Sequence, residues 1–91
     1  MTDLNDDPRA TFEYFSSEYA QALQAYGAIE NQASTLMLMG YSNDLRQFID
    51  QFLEMATRVR DLAVEKNETN FAEWFSELVE KAEALRAAVP S

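Results

Sequence analysis

One feature of this chain constrains its fold more than any other: apolar residues recur every three or four positions without interruption for about four heptads. These apolar residues are Phe12, Phe15, Tyr19, Ala22, Tyr26, Ile29, Ala33 and Leu36. Residues at this spacing share one face of an α-helix. The pattern therefore predicts one long helix over about 8–39, roughly 48 Å in length at ~1.5 Å per residue.

The same spacing predicts two shorter helices after the first. Gly40 can adopt the left-handed conformation that ends a helix, and Asn67 can end the next one, which gives helices over about 43–66 and 70–88. The apolar positions of the second helix are Leu45, Phe48, Phe52, Met55, Val59 and Leu62, and those of the third are Phe71, Phe75, Leu78, Ala82, Leu85 and Val89. Residues 7–91 are thus predicted to form a single helical domain after a disordered acidic N-terminus at 1–6.

These helix lengths predict an all-α fold, a three-helix antiparallel bundle with a long first helix. The first helix exceeds the second by about nine residues, which would leave about 13 Å of its apolar face uncovered. We therefore predict that homodimerisation completes the bundle, with a dimer seam made of Phe12, Phe15, Tyr19, Ala22 and Tyr26. The alternative is a break at Gly27, which would produce a four-helix up-and-down bundle.

The composition argues against most enzyme chemistries. The chain contains no histidine and no cysteine, and their absence removes the usual general base near neutral pH and most zinc ligand sets. No aspartate or glutamate falls on the apolar positions of the three predicted helices, so neither a buried carboxylate pair nor a bundle metal site is indicated. We predict a protein with no catalytic residue, no cofactor and no metal.

The charge narrows the range of partners. Sixteen acidic residues against seven basic ones give a formal net charge of −9, which repels phosphate backbones and anionic membranes and attracts basic protein surfaces. We therefore predict no nucleic-acid partner and no membrane partner. The first residues include three aspartates, with no basic region and no apolar region of a secretory signal, which predicts a cytoplasmic protein.

The surface of the first helix suggests that the protein binds other proteins. Residues 10–45 contain no basic residue and four acidic ones, whereas a solvated helix face usually carries Glu and Lys pairs. The end of this helix is apolar on all sides, and methionine-rich surfaces suit irregular partners. The predicted partner-binding residues are Tyr14, Leu36, Met37, Leu38, Met39 and Tyr41. This predicts a non-enzymatic interaction module: a small adaptor, a regulatory subunit or a secretion-type chaperone.

An acidic ridge on the third helix suggests an alternative. Glu73, Glu77, Glu80 and Glu83 recur three or four residues apart, so their carboxylates can imitate a row of phosphates. The alternative is an acidic inhibitor or immunity-type protein that neutralises a basic partner such as a nuclease. Lys81 and Arg86 interrupt the ridge in sequence.

Overall fold

The computed structural model of the protein describes residues 8–90, and residues 1–7 and 91 lie outside this range. The described chain consists of three α-helices: α1 (Pro8–Leu38), α2 (Ser42–Glu65) and α3 (Thr69–Ala88). This arrangement confirms the predicted all-α three-helix bundle, and each helix begins and ends within one residue of its predicted bounds. The predicted disordered terminus, 1–6, falls outside the described residues.

The first helix is continuous through Gly27. It spans 31 residues without a break, so the four-helix alternative is wrong. A Cβ atom added at Gly27 would meet nothing within 4 Å, so neither a close contact nor a special backbone angle requires glycine here. The glycine lowers helix stability by about 1 kcal/mol relative to alanine, yet Ala22 and Ala33 on either side remain buried in the core and hold the helix in place.

Both connections between helices are tight turns closed by the same hydrogen-bond pattern. Gly40 has a φ of 83°, and the N–H of Tyr41 donates to the carbonyl of Leu36 at 2.8 Å. Asn67 has a φ of 60° in the equivalent position of the second turn. These are Schellman endings, in which a residue in the left-handed conformation satisfies the last free carbonyls of a helix. Because the turns are short, consecutive helices are antiparallel neighbours.

The core lies along the line where the three helices meet. The contact between α2 and α3 is the most extensive, and α1 lies across both. The largest side chains with no exposed surface are Phe15, Leu45, Ile49 and Phe75. The remaining buried apolar residues are Ala22, Ala33, Phe52, Ala56, Val59, Ala63, Phe71, Leu78, Val79, Ala82 and Val89. The first helix contributes only three of these apolar residues although it is the longest, so much of its surface is left for solvent or a partner.

Aromatic rings fix α1 against the other two helices. Phe15 stacks on Phe71 of α3 at a centroid distance of 5.6 Å, and Tyr19 meets Phe75 edge to face at 5.5 Å. Aromatic pairs in these geometries stabilise a fold by about 0.5–1.5 kcal/mol beyond their buried area. The N-terminal half of α1 is therefore held mainly by ring contacts with α3.

Candidate interaction surfaces

A groove runs between α1 and α2 on the side away from α3. It has a volume of about 380 Å³. Its walls are formed by Ala25, Ala28, Ile29 and Gln32 of α1 and by Phe48, Gln51, Phe52 and Met55 of α2. None of these eight residues is charged, in a chain whose formal net charge is −9. The groove is thus an uncharged depression on an acidic protein.

The groove is open because α1 presents small side chains to it. Between Ala22 and Ala33 no residue of α1 is fully buried, and Ala25 and Ala28 extend only a methyl group towards α2. Phe48 also belongs to the lining and keeps 46% of its surface exposed. Small side chains on one helix leave space between two helices that a protruding side chain from outside can fill.

The predicted patch at the end of α1 is divided between core and solvent. Leu36 and Met37 pack against the core, whereas Leu38, Met39 and Tyr41 are 89%, 62% and 47% exposed. Met39 directly follows the last residue of α1 and lies seven residues after Gln32 of the groove. The exposed apolar side chains of the patch therefore lie at the α1–α2 turn, beyond the residues that line the groove.

Tyr14, the other predicted partner-binding residue, lies against the bundle. Its ring meets that of Phe15 edge to face at 5.1 Å, and the side chain packs against the core. Burial raises the pKa of the Tyr14 phenol, the nearby carboxylate of Glu18 raises it further, and Arg58 of α2 opposes the increase. The structure thus brings Tyr14 close to α2, and not into the exposed patch at the turn.

The residues predicted as a dimer seam contact the other helices of the same chain. Phe15 and Ala22 have no exposed surface. Tyr19 meets Trp74 at 5.4 Å, Tyr26 meets Phe52 at 5.8 Å, and both tyrosines are partly buried. Phe12 alone among the five is largely exposed, at 58%. Homodimerisation remains a prediction, and in this fold it would have to use other parts of the α1 surface.

The acidic ridge is present on the outer face of α3. Glu73, Glu77, Glu80 and Glu83 are all exposed, and none forms an ion pair within residues 8–90. Three of them border a shallow depression of about 320 Å³ that also includes Thr69, Ala72 and Ser76. The structure therefore places the four carboxylates together on one face, as predicted from their spacing.

Arg86 does not interrupt this ridge. Its guanidinium group forms an ion pair with the carboxylate of Asp50 on α2, in a bidentate contact. The hydrogen bond from Arg86 holds the pKa of Asp50 below its ordinary value, and the same contact raises the pKa of Arg86. Lys81, the other basic residue expected to interrupt the ridge, is exposed and lies between Glu80 and Glu83 in sequence.

A second concavity, which the sequence did not predict, lies where α1 begins and the α2–α3 turn ends. It has a volume of about 330 Å³. Its lining consists of three aromatic residues, Phe12, Phe71 and Trp74, and four polar ones, Asn67, Glu68, Thr69 and Asn70. We call it the aromatic pocket. These residues come from separate helices, and no spacing pattern connects Phe12 with Glu68 or Trp74.

Other kinds of site are not found in the described part of the chain. Residues 8–90 contain no group of three or more carboxylates that could hold a metal ion. None of the three helices is long and apolar enough to cross a membrane. The surfaces described above are therefore the features on which a function can be argued.

Comparison with known proteins identifies no relative of this chain. No protein-family model, no curated protein and no solved structure matches this chain. The class that the fold defines is an all-α three-helix bundle.

Proposed function

We propose that this protein is a non-enzymatic interaction module that binds an amphipathic helix of another protein in the groove between α1 and α2. The observation that carries the proposal is the groove itself, with its eight uncharged lining residues. Two antiparallel helices with a space between them form a natural seat for a third, whose apolar residues at i, i+3, i+4 and i+7 fill the space. A small adaptor, a regulatory subunit and a secretion-type chaperone all use such a seat.

The chemistry of the groove supports a helical occupant. Phe48 and Met55 offer apolar surface, which in the case of methionine adapts to the shape of its partner. The side-chain amides of Gln32 and Gln51 can form hydrogen bonds. Because the lining is uncharged, a partner helix that covers the groove buries no unpaired charge of this protein. The surrounding net charge of −9 favours a partner whose helix carries basic residues beside its apolar face, because opposite charges speed association.

Filling the groove should weaken partner binding strongly without unfolding the protein. Ala25→Leu replaces a methyl group in the wall of the groove with an isobutyl group, where the space is open. Alanine and leucine are both strong helix formers. We expect the variant to capture the partner at least about tenfold less efficiently, since the added side chain occupies the place of an anchoring residue. The measurement is capture of partner proteins from the cells that make the protein, quantified by mass spectrometry.

The matched control for this substitution is Ala84→Leu, an equal change on the exposed face of α3. It should leave capture unchanged, while Phe48→Glu, which places a charge in the groove, should reduce capture as Ala25→Leu does. Equal capture by the wild type and both groove variants, with all variants folded, would contradict the proposal. Light scattering on the same samples tests the predicted homodimer, for which we expect twice the chain mass of 10.4 kDa.

A second candidate function rests on the acidic ridge. The guanidinium group of Arg86 pairs with Asp50 of α2, and the four glutamates of the ridge form no ion pair within residues 8–90. A row of four exposed carboxylates suits an inhibitor or immunity-type protein that neutralises a basic partner. In this reading the partner would meet α3 and not the groove.

Neutralising the ridge separates the two candidates. The triple variant with Glu73, Glu77 and Glu80 changed to glutamine should lose binding if the ridge is the contact, and binding of the wild type should weaken steeply with added salt. The control changes Asp44, Glu54 and Asp61 of α2 to the corresponding amides, which removes the same net charge elsewhere. Equal binding by the two triple variants would rule out the ridge as the contact surface.

A further inference from the structure

The aromatic pocket combines ring faces with a carboxylate at one end of the bundle. Phe12 is 58% exposed and Trp74 is 41% exposed, whereas Phe71 is 4% exposed and lies between them. The ring of Phe71 meets that of Phe12 at 5.7 Å and that of Trp74 at 5.3 Å, edge to face in both cases. The pocket thus has an aromatic floor and two aromatic walls that are accessible from solvent.

The lining of the pocket also includes Glu68, which is its one charged residue. Glu68 immediately precedes α3, yet its side chain forms no capping hydrogen bond with that helix. Its carboxylate also forms no ion pair within residues 8–90. Two exposed aromatic rings beside a carboxylate without an ion-pair partner suit a cation, because the faces of aromatic rings carry negative charge density.

We propose that the aromatic pocket binds the guanidinium group of an arginine side chain on a partner protein. A guanidinium group is planar, stacks on tryptophan and phenylalanine, and pairs with a carboxylate through two parallel hydrogen bonds. In the pocket, Trp74 and Phe12 provide the stacking surfaces and Glu68 provides the carboxylate. The net charge of −9 draws such a group towards the surface.

The lining favours guanidinium over a methylated ammonium group. Four of the seven lining residues are polar, and the side-chain oxygens of Asn67 and Asn70 can accept the N–H groups that remain after pairing with Glu68. A quaternary ammonium group has no N–H to donate and is held by aromatic faces on several sides. In this pocket only two aromatic rings are exposed. The polar acceptors would add little to the binding of a quaternary ammonium group, because that group has no N–H for them to accept.

The pocket is separate from the groove of the proposed function. It lies at the beginning of α1, beside the α2–α3 turn, while the groove begins at Ala25 and continues towards the α1–α2 turn. Ala25 follows Phe12 by thirteen residues, about 20 Å along the helix. Failure of one site in experiment therefore does not decide the other.

Trp74 provides a direct test, because it is the single tryptophan of the chain. Its fluorescence should change saturably when the full-length protein is titrated with N-acetyl-arginine methylamide. The citrulline analogue, which has the same shape without the charge, and sodium chloride at matched ionic strength should produce no saturable change. Tetramethylammonium chloride should bind more weakly than the arginine compound.

Three variants complete the experiment. Glu68→Gln should weaken arginine binding by about threefold through loss of the ion pair, and Phe12→Leu should do so to a similar extent through loss of a ring face. Glu83→Gln, which lowers the net negative charge equally, should leave binding unchanged. Circular dichroism establishes that each variant is folded. Equal binding of arginine and citrulline compounds, stronger binding of tetramethylammonium, or equal weakening by Glu68→Gln and Glu83→Gln would overturn the proposal.

Discussion

Replacing Phe75 with alanine should reduce the free energy of unfolding by about 3–5 kcal/mol. Phe75 has no exposed surface, and its ring contacts Tyr19 of α1 as well as the core formed with α2. The substitution leaves a cavity at the place where all three helices meet. Because small domains are typically stable by only about 5–15 kcal/mol, the variant should be close to unfolding at ambient temperature. Urea denaturation followed by circular dichroism measures the loss.

Phe48→Ala is the matched control for this change. The same atoms are removed from the wall of the groove, where Phe48 is 46% exposed, so much of the space is already open to water. We expect a loss of about 1 kcal/mol or less. An equal loss in the free energy of unfolding for both variants would mean that the two phenylalanines do not differ in burial. That result would contradict a buried Phe75 and a half-exposed Phe48.

The second large loss of stability is expected from enlarging a buried alanine. Ala56 of α2 has no exposed surface and belongs to the core cluster, so Ala56→Leu introduces three heavy atoms into a closely packed region. Overpacking of this kind typically costs about 1–3 kcal/mol, because neighbouring side chains leave their preferred rotamers or the helices move apart. Thermal denaturation should show a lower midpoint than that of the wild type.

Ala25→Leu is the corresponding control, because Ala25 lies in the wall of the groove and is exposed. Here the added atoms enter empty space and bury apolar surface, so stability should be unchanged or slightly higher. An equal loss of stability in both variants would contradict the open groove. The contrast also ensures that loss of partner binding by Ala25→Leu can be assigned to the groove.

The apolar positions of α2 illustrate how far the sequence could predict the packing. The 3-4 spacing places Phe48 and Met55 on the central line of the buried face, with Ile49, Ala56 and Ala63 at its edge. In the structure Ile49, Ala56 and Ala63 are fully buried and Phe48 is half exposed. The buried face of α2 is rotated because its most extensive contact is with α3, and a spacing pattern alone does not specify which neighbour lies closest.

The candidate surfaces were predicted to different degrees. The positions of the four ridge glutamates on α3 follow from their spacing, because residues three and four apart on a helix are neighbours whatever surrounds them, and binding by this ridge stays a prediction. The patch at the end of α1 was predicted in part, since Leu38, Met39 and Tyr41 are exposed while Leu36 and Met37 face the core. The aromatic pocket was not predicted, because its walls belong to separate helices.

The helices of this protein follow from local features of its sequence. The period of the apolar residues, together with Gly40 and Asn67 at the two turns, specified three helices and their ends, because these depend on hydrogen bonds and contacts within a few residues. The parts of those helices that remain uncovered depend instead on the tertiary packing. The groove, the exposed side of Phe48 and the pocket around Trp74 depend on how the helices rotate and cross. That arrangement is set by the packing of residues far apart in sequence.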